Sequence, residues 1–122
     1  MGRVMHFEFP IDDPERAVRF YREVFGWQIE KWEGPVDYWL CKTGAEGEPG
    51  IDGALTLRSG GMKTVACIID VDDLETSLAR AEANGGKVIH RDTVPGVGIM
   101  AYCLDSEGTI IGLMQSDPEA GM

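Results

Sequence analysis

Two residues near the start of the chain, His6 and Glu8, have side chains that could do chemistry. They lie two positions apart in the run Val4–Phe9, whose alternating pattern is typical of a β-strand. Successive strand residues point to opposite faces, so His6 and Glu8 share one face, while Phe7 and Phe9 share the other. An imidazole and a carboxylate on one inward face can bind a ligand or move a proton. We therefore expect a functional site on this face, with the aromatic face packed under a helix.

The elements around this strand recur 60 residues later. A shift of that length aligns six identical pairs: Asp12 with Asp72, Asp13 with Asp73, Glu15 with Glu75, Gly26 with Gly86, Ile29 with Ile89, and Pro35 with Pro95. The acidic pairs suit helix starts, and the glycines suit helix ends. We interpret the acidic pairs as caps rather than metal ligands. Because Pro14 fits a first helical position, Asp13 is the expected first cap, whereas Asp72 and Glu75 are expected to form a capping box.

The spacing of apolar residues and turn residues predicts two copies of a βαβββ unit. Helices are predicted at about 13–25 and 73–84, and strands at 4–9, 27–32, 38–43, 51–57, 64–71, 87–91, 99–104 and 109–115. Two helices are too few for a doubly wound sheet, so we expect the α+β class. No linker longer than a turn separates the copies. We therefore expect one domain over residues 1–122, with pseudo-repeats at about 1–60 and 61–122.

The charge balance excludes several kinds of partner. Twenty-one acidic residues against eleven basic ones give a net charge of −10, which repels phosphate backbones and anionic membrane surfaces. No apolar run approaches the roughly 18 residues of a membrane span, and the first residues lack a signal-peptide core. We therefore expect no nucleic-acid partner, no membrane association and a cytoplasmic location.

The remaining reactive side chains carry little signal. Cys41, Cys67 and Cys103 are odd in number and lack the C-x-x-C spacing of a zinc or dithiol site, so we interpret all three as inert core residues. His90 falls near a strand end beside Arg91, and we interpret it as solvated or at the edge of the core.

Residues 12–27, with the aromatic pair Phe20-Tyr21 and Gly26, resemble the first helix of the glyoxalase, bleomycin-resistance and extradiol-dioxygenase family, also called the vicinal oxygen chelate family. Residues 71–74, 84–88 and the turn at 105–108 are similar to its second half. The resemblance implies two tandem βαβββ modules that form a curved, cup-like mixed sheet, with the helices on the outer face.

The family's enzymes bind one divalent metal in the concavity of this sheet. The resemblance places the four ligand positions at His6, near Gly53 with Asp52 and Ala54 beside it, at Ala66 and at Gly112. Alanine and glycine have no ligand side chain. His6, even with Glu8 or Asp52 beside it, falls short of the three or four ligands that hold a catalytic zinc ion. We therefore expect no metal and no other cofactor.

Two hypotheses of different kinds follow. The first is a homodimer that binds a small organic molecule in the concave cavity without a metal, as the family's resistance proteins do. Its predicted binding residues are His6, Glu8, Asp52, Tyr102 and Met114. The alternative is an enzyme: a lyase, isomerase or dioxygenase with one divalent metal held through His6, or a metal-free proton abstraction by His6 with Glu8. The missing ligands favour binding.

Overall fold

A computed structural model of the chain describes residues 2–60 and 63–121. These residues form two compact units. One unit comprises His6–Val65, and the described residues of the other are 2–5 and 66–121. That the chain is a single domain stays a prediction.

The described residues contain two βαβββ modules. The elements are β1 (Arg3–Ile11), α1 (Pro14–Phe25), β2 (Gln28–Lys31), β3 (Tyr38–Lys42), β4 (Asp52–Leu57), β5 (Ala66–Asp70), α2 (Leu74–Ala83), β6 (Lys87–Val94), β7 (Gly98–Leu104) and β8 (Ile110–Ser116). The first module runs from β1 to β4 and the second from β5 to β8. The predicted α+β class, the element order and both helices are confirmed. A short 3₁₀ helix at Arg58–Gly60 was not predicted.

The first module has the strand order β2-β3-β4-β1. Strands β1 and β4 are parallel, and the other neighbours are antiparallel. The core lies between these strands and α1, as alternation in β1 predicts, and its buried members are Phe7, Ile11, Ile29, Cys41 and Leu55. Phe9, Ala17, Val18, Tyr21 and Trp27 pack against it. The face that carries His6 and Glu8 is therefore the one opposite α1.

The second module has the order β5-β8-β7-β6, again with one parallel pair, β5 with β8. Its core is formed with α2 and consists of Leu74, Leu78, Ala101, Cys103 and Leu113. The two modules thus use the same arrangement, a mixed four-stranded sheet with one helix packed on one face.

The helix starts differ from the prediction in one respect. Asp13 caps α1, as expected, because its Oδ1 accepts from the backbone N–H of Arg16 at 3.1 Å. In α2 the cap is Asp73, whose Oδ1 accepts from the N–H of Thr76 at 3.1 Å. The predicted capping box of Asp72 and Glu75 is wrong, because α2 begins one residue later than that pairing requires and Glu75 forms an ion pair with Arg91.

Two of the three cysteines are buried. Cys41 and Cys103 lie in the two cores, where burial raises the pKa of Cys103 and raises that of Cys41 to about 11. The prediction for Cys67 is wrong, because its side chain is exposed. In β5, Ala66 and Ile68 point to the face to which Cys67 does not point. Cys67 is not among the core residues that pack under α2. His90 is exposed, as predicted.

Candidate functional site

Three ionisable side chains of the first module are joined by hydrogen bonds. The hydroxyl of Tyr38 donates to Oε2 of Glu8 at 2.7 Å, and Nε2 of His6 lies 2.6 Å from the same hydroxyl oxygen. The rings of His6 and Tyr38 are also nearly parallel, with centroids 6.0 Å apart. His6 and Glu8 therefore share a face, as predicted, and they are linked through Tyr38. The sequence analysis missed Tyr38.

The register of three strands brings these residues together. β1 lies beside β4 and pairs Pro10 with Thr56, while β3 lies on the other side of β4 and pairs Tyr38 with Thr56. Paired residues point to the same face, so Tyr38 faces the same way as His6 and Glu8. The phenol is long enough to reach across β4, where Ala54 is completely buried. A small residue at this position leaves room for the bridge.

The turn between β2 and β3 holds Tyr38 in place. The backbone N–H of Trp32 donates to the carbonyl of Tyr38 at 2.7 Å, and the two rings meet edge to face with centroids 5.9 Å apart. The Trp32 ring lies over Gly34, where an added Cβ would overlap the ring. Only glycine fits at this position without moving the tryptophan. Gly34, in the turn between β2 and β3, therefore has a packing role.

Burial defines the protonation of the site. Glu8 is 4% exposed, and a carboxylate so far removed from water needs hydrogen-bond donors. Burial also lowers the pKa of His6 below its usual 6.5, although the charges of Glu8 and Asp52 oppose that shift. Because Tyr38 gives its one proton to Glu8, Nε2 of His6 must be the donor in the other bond. Neutral His6 then keeps its lone pair on Nδ1, which makes no hydrogen bond within the described residues.

Two further polar side chains lie on this face. Asp52 pairs in register with His6 and is exposed, and its Oδ1 accepts from the backbone N–H of Thr43 at 2.8 Å. Thr56 has a buried hydroxyl oxygen with no hydrogen-bond partner among the described residues. Buried polar atoms are nearly always paired, so such an oxygen marks a place where a ligand or water is expected. The sequence analysis did not single out Thr56.

Tyr102 and Met114 belong to the second module. Tyr102 pairs with Gly112 and His90, and Met114 pairs with Asp70 and Met100. Both lie on the face opposite α2, because the residues next to them in sequence, Ala101, Cys103 and Leu113, are in the core with that helix. Their predicted orientation relative to the helix of their own module agrees with the structure. Their role in binding stays a prediction.

The side chains do not fit the family's metal site. Within residues 2–60 and 63–121, no three His, Cys, Asp or Glu side chains are grouped to hold a metal ion. Gly53, near the expected second ligand, faces the α1 side, since an added Cβ there would overlap the ring of Phe7. At Gly112, an added Cβ would overlap Cδ1 of Ile68, so a larger ligand residue would have to displace that side chain. The donor set thus falls short of what a divalent metal needs.

The first module matches a known family in sequence. Residues 3–38 match the family model described as "Bleomycin resistance protein-like N-terminal". The matched segment includes His6, Glu8 and Tyr38. A comparison with curated protein sequences finds no significant match.

Solved structures match over nearly the whole chain. The methylmalonyl-CoA epimerase of Mycobacterium tuberculosis is 13% identical, covers 93% of this chain and 87% of its own, and gives a TM-score of 0.68. A Streptomyces coelicolor methylmalonyl-CoA epimerase variant, in complex with 2-nitronate-propionyl-CoA, is 17% identical, covers 95% of this chain and 98% of its own, and gives a TM-score of 0.66. A hypothetical protein from Bacillus halodurans C-125 is 14% identical, covers 99% of both chains and gives a TM-score of 0.71.

The family model and the solved structures support the resemblance to the vicinal oxygen chelate and bleomycin-resistance family. The resemblance seen in the sequence is confirmed. The sequence match ends at the start of β3, and the likeness over the rest of the chain is one of fold. No helix in the described part of the chain is long and apolar enough to cross a membrane.

Proposed function

We propose that this protein binds a small organic molecule through the polar face of its first module, without the metal of the family's enzymes. The observation that carries the proposal is the hydrogen-bonded chain from half-buried His6 through half-buried Tyr38 to buried Glu8. Next to it lies the hydroxyl of Thr56, which has no hydrogen-bond partner among the described residues. Binding sites for small molecules usually combine an apolar surface with a few fixed polar groups. The predicted contacts of Asp52, Tyr102 and Met114 belong to the same proposal.

The chemistry of this face defines what would bind well. Nδ1 of neutral His6 is an acceptor, whereas the hydroxyl of Thr56 can donate or accept. A ligand with a carbonyl and a neighbouring N–H or O–H group would satisfy both. Methylmalonyl-CoA epimerases of similar fold have been solved with methylmalonyl-CoA and with 2-nitronate-propionyl-CoA. Acyl esters are accordingly a reasonable first class of ligands for this chain.

A fragment screen observed by amide NMR tests the binding proposal. The probes are a set of small neutral and acidic carbonyl compounds, added one at a time in the presence of a chelator. We expect the saturable shifts to map to the amides of β1, β3 and β4 around His6, Tyr38 and Thr56.

The matched variants are Tyr38→Phe and Tyr21→Phe. The first removes one hydroxyl from the site, and the second removes one hydroxyl from α1, on the other side of the sheet. We expect Tyr38→Phe to weaken the hits by about tenfold, the effect of one lost hydrogen bond of about 1.4 kcal/mol, and Tyr21→Phe to leave them unchanged. Shifts that map elsewhere, or hits that are indifferent to Tyr38→Phe, would overturn the proposal.

Metal titration tests the second half of the proposal. A tight metal site at 100-fold excess over its dissociation constant adds about 2.7 kcal/mol, which is several degrees of melting temperature for a domain of this size. We expect no such shift with Zn²⁺, Ni²⁺, Mn²⁺ or Fe²⁺ beyond what the His6→Ala variant shows. A shift present in the wild type and lost in His6→Ala would establish a site through His6 and favour the lyase, isomerase or dioxygenase alternative.

A second candidate function is metal-free proton abstraction next to a carbonyl. It is favoured by one observation: burial keeps His6 neutral, with Nδ1 as its base, while Glu8 lies close enough to stabilise the imidazolium formed when Nδ1 takes a proton. Such a base would remove an α-proton from an acyl ester and return it, which exchanges the proton without net change.

Exchange in heavy water tests this candidate. With methylmalonyl-CoA and a chelator in D₂O, an active protein incorporates deuterium at the α-carbon, and His6→Ala does not. Equal exchange in the wild type and His6→Ala would exclude His6 as the base. The proposals for binding and for proton abstraction are separable, because the fragment screen needs no turnover.

The assembly and the location also remain proposals. Family members commonly complete their cavities across a two-fold axis, so we infer a homodimer in the cytoplasm. Sedimentation at micromolar concentration is expected to give twice the 13.4 kDa of one chain. A monomer would contradict the inference.

A further inference from the structure

A cavity of the first module lies on the α1 side of the sheet, away from His6 and Glu8. Its volume is about 540 Å³, within the range of small-molecule sites, which is about 300–1,000 Å³. Its apolar floor is made by Val18 of α1, Ile29 of β2 and Trp39 of β3. We call it the outer cavity.

Three cationic side chains surround this floor. They are Arg19 and Arg22 from α1 and Lys31 from β2, and the two anionic ones are Glu15 and Glu23. Because Asp37 forms an ion pair with Lys31, cationic and anionic side chains around the cavity are equal in number, in a chain of net charge −10. The outer cavity therefore repels anions less than the chain as a whole does.

The three cations are not equally available. The guanidinium of Arg22 is held at the edge of β2, where Nη2 donates to the carbonyl of Ile29 at 2.6 Å. Lys31 forms an ion pair with Asp37 at 3.2 Å, and its ammonium lies 5.5 Å from the centre of the Trp39 ring. Arg19 makes no ion pair within the described residues.

The carboxylates on the helix do not neutralise Arg19. Glu15 and Glu23 lie four residues before and after it, a spacing that permits ion pairs on a helix. Neither forms one with Arg19 in the part of the chain that the structure describes. Arg19 is thus a cation at the rim of an apolar cavity with no ion-pair partner among the described residues, and its planar fork of donors suits a carboxylate.

We propose that the outer cavity is a second ligand site, specific for flat apolar anions such as aromatic carboxylates. The ring would lie on Trp39, Ile29 and Val18, where stacking and apolar burial contribute. The carboxylate would accept hydrogen bonds from Arg19. This site is independent of the proposed function, because it lies on the opposite face of the module.

The test is a titration with 2-naphthoate, with 2-naphthamide as the neutral probe of the same shape, followed by amide NMR. We expect saturable shifts with 2-naphthoate at residues 14–23, 29–31 and 39, and binding of the amide that is weaker by about two- to fivefold. Arg19→Gln is expected to reduce the affinity about two- to fivefold, as for an exposed ion pair. The matched control, Arg16→Gln, changes an exposed arginine of the same helix outside the cavity and should have no effect.

Several results would overturn the proposal. Equal affinity for 2-naphthamide would show that no anion is recognised, and equal losses in Arg19→Gln and Arg16→Gln would show only a general effect of charge. Shifts confined to β1 and β4 around His6 would assign the probe to the other face. Because the two faces give separate sets of shifted amides, failure here leaves the proposal for the His6 face intact.

Discussion

The two modules share the order βαβββ but differ on the face opposite the helix. In the first module, β1 presents His6 and Glu8, which Tyr38 joins by hydrogen bonds. In the second, the residues 60 positions later in β5 are Ala66 and Ile68, both buried. By strand register, the counterpart of Tyr38 is Met100. Tyr38 pairs with Thr56, two residues after Ala54, and Met100 pairs with Met114, two residues after Gly112. At the positions that correspond to His6, Glu8 and Tyr38, the second module thus has only apolar side chains.

The register itself differs between the modules. In the first, His6 pairs with Asp52, 46 residues later, whereas in the second, Ile68 pairs with Gly112, 44 residues later. A constant shift of 60 therefore aligns β1 with β5 but misaligns the last strands by two residues. The counterpart of Gly112 is then Ala54 rather than Asp52. A repeat that is detected from the helix starts therefore does not show which residues correspond in the later strands, because the loops between them differ in length.

The helices provide the largest expected difference between the modules. Leu78 of α2 is 1% exposed, whereas Val24 of α1 is 55% exposed. We expect Leu78→Ala to lower the free energy of unfolding by about 2–5 kcal/mol, because it leaves a cavity in the core. Val24→Ala should change it by no more than about 0.5 kcal/mol. Urea denaturation measures both.

A loss at Val24 as large as that at Leu78 would show that the exposed face of α1 is covered in solution. Phe20 and Phe25, which are also more than half exposed, would then belong to the same covered surface.

Much of this architecture could be predicted from the sequence. The helices are indicated by acidic starts and glycine ends, and the strands by alternation between turns, all of which are local signals. Tyr38 could not be found in this way, because its partner Glu8 lies 30 residues away and the contact depends on the register of β3, β4 and β1. The exposure of Cys67 could not be predicted either, because an apolar run does not show which of its residues the helix covers.

Two glycines, one in β4 and one in β8, give a smaller effect that sharpens the comparison. An added Cβ at Gly53 would overlap the ring of Phe7, a rigid core residue. An added Cβ at Gly112 would overlap the terminal methyl of Ile68, the far end of a flexible side chain, and would lie 3.3 Å from Cε1 of Tyr102. We expect Gly53→Ala to cost about 1–3 kcal/mol and Gly112→Ala less than about 1 kcal/mol.

Chemical denaturation of the two alanine variants, in parallel with the wild type, decides this point. Equal costs would mean that Ile68 is held as firmly as Phe7, and that a side chain at position 112 is tolerated no better than one at position 53.

The smallest effect concerns pH. Because burial lowers the pKa of His6 below 6.5, the unfolded chain binds more protons than the folded one between the two values. The contribution of His6 to the free energy of unfolding is therefore largest above about pH 6.5, and it decreases as the pH falls towards the pKa of His6 in the folded chain. The His6→Asn variant should lose this part of the pH dependence.

Proton NMR titration of the imidazole tests the cause. Glu8 raises the pKa of His6 more than Asp52 does, so Glu8→Gln should lower it further than Asp52→Asn. The signal of His90, which is exposed, serves as a reference in the same spectra. A higher His6 pKa in Glu8→Gln would contradict the arrangement of charges described for this face.

The three cysteines provide a way to measure local opening of the two modules. Cys41 lies in the core of the first module and Cys103 in that of the second, while Cys67 is open to solvent. A thiol reagent should thus modify one sulfur per chain at once and the other two only when a module opens. The rates at Cys41 and Cys103, read separately by mass spectrometry, give the opening of each half. Equal rates would mean that the repeat unfolds as one cooperative body, and unequal rates that its halves open independently.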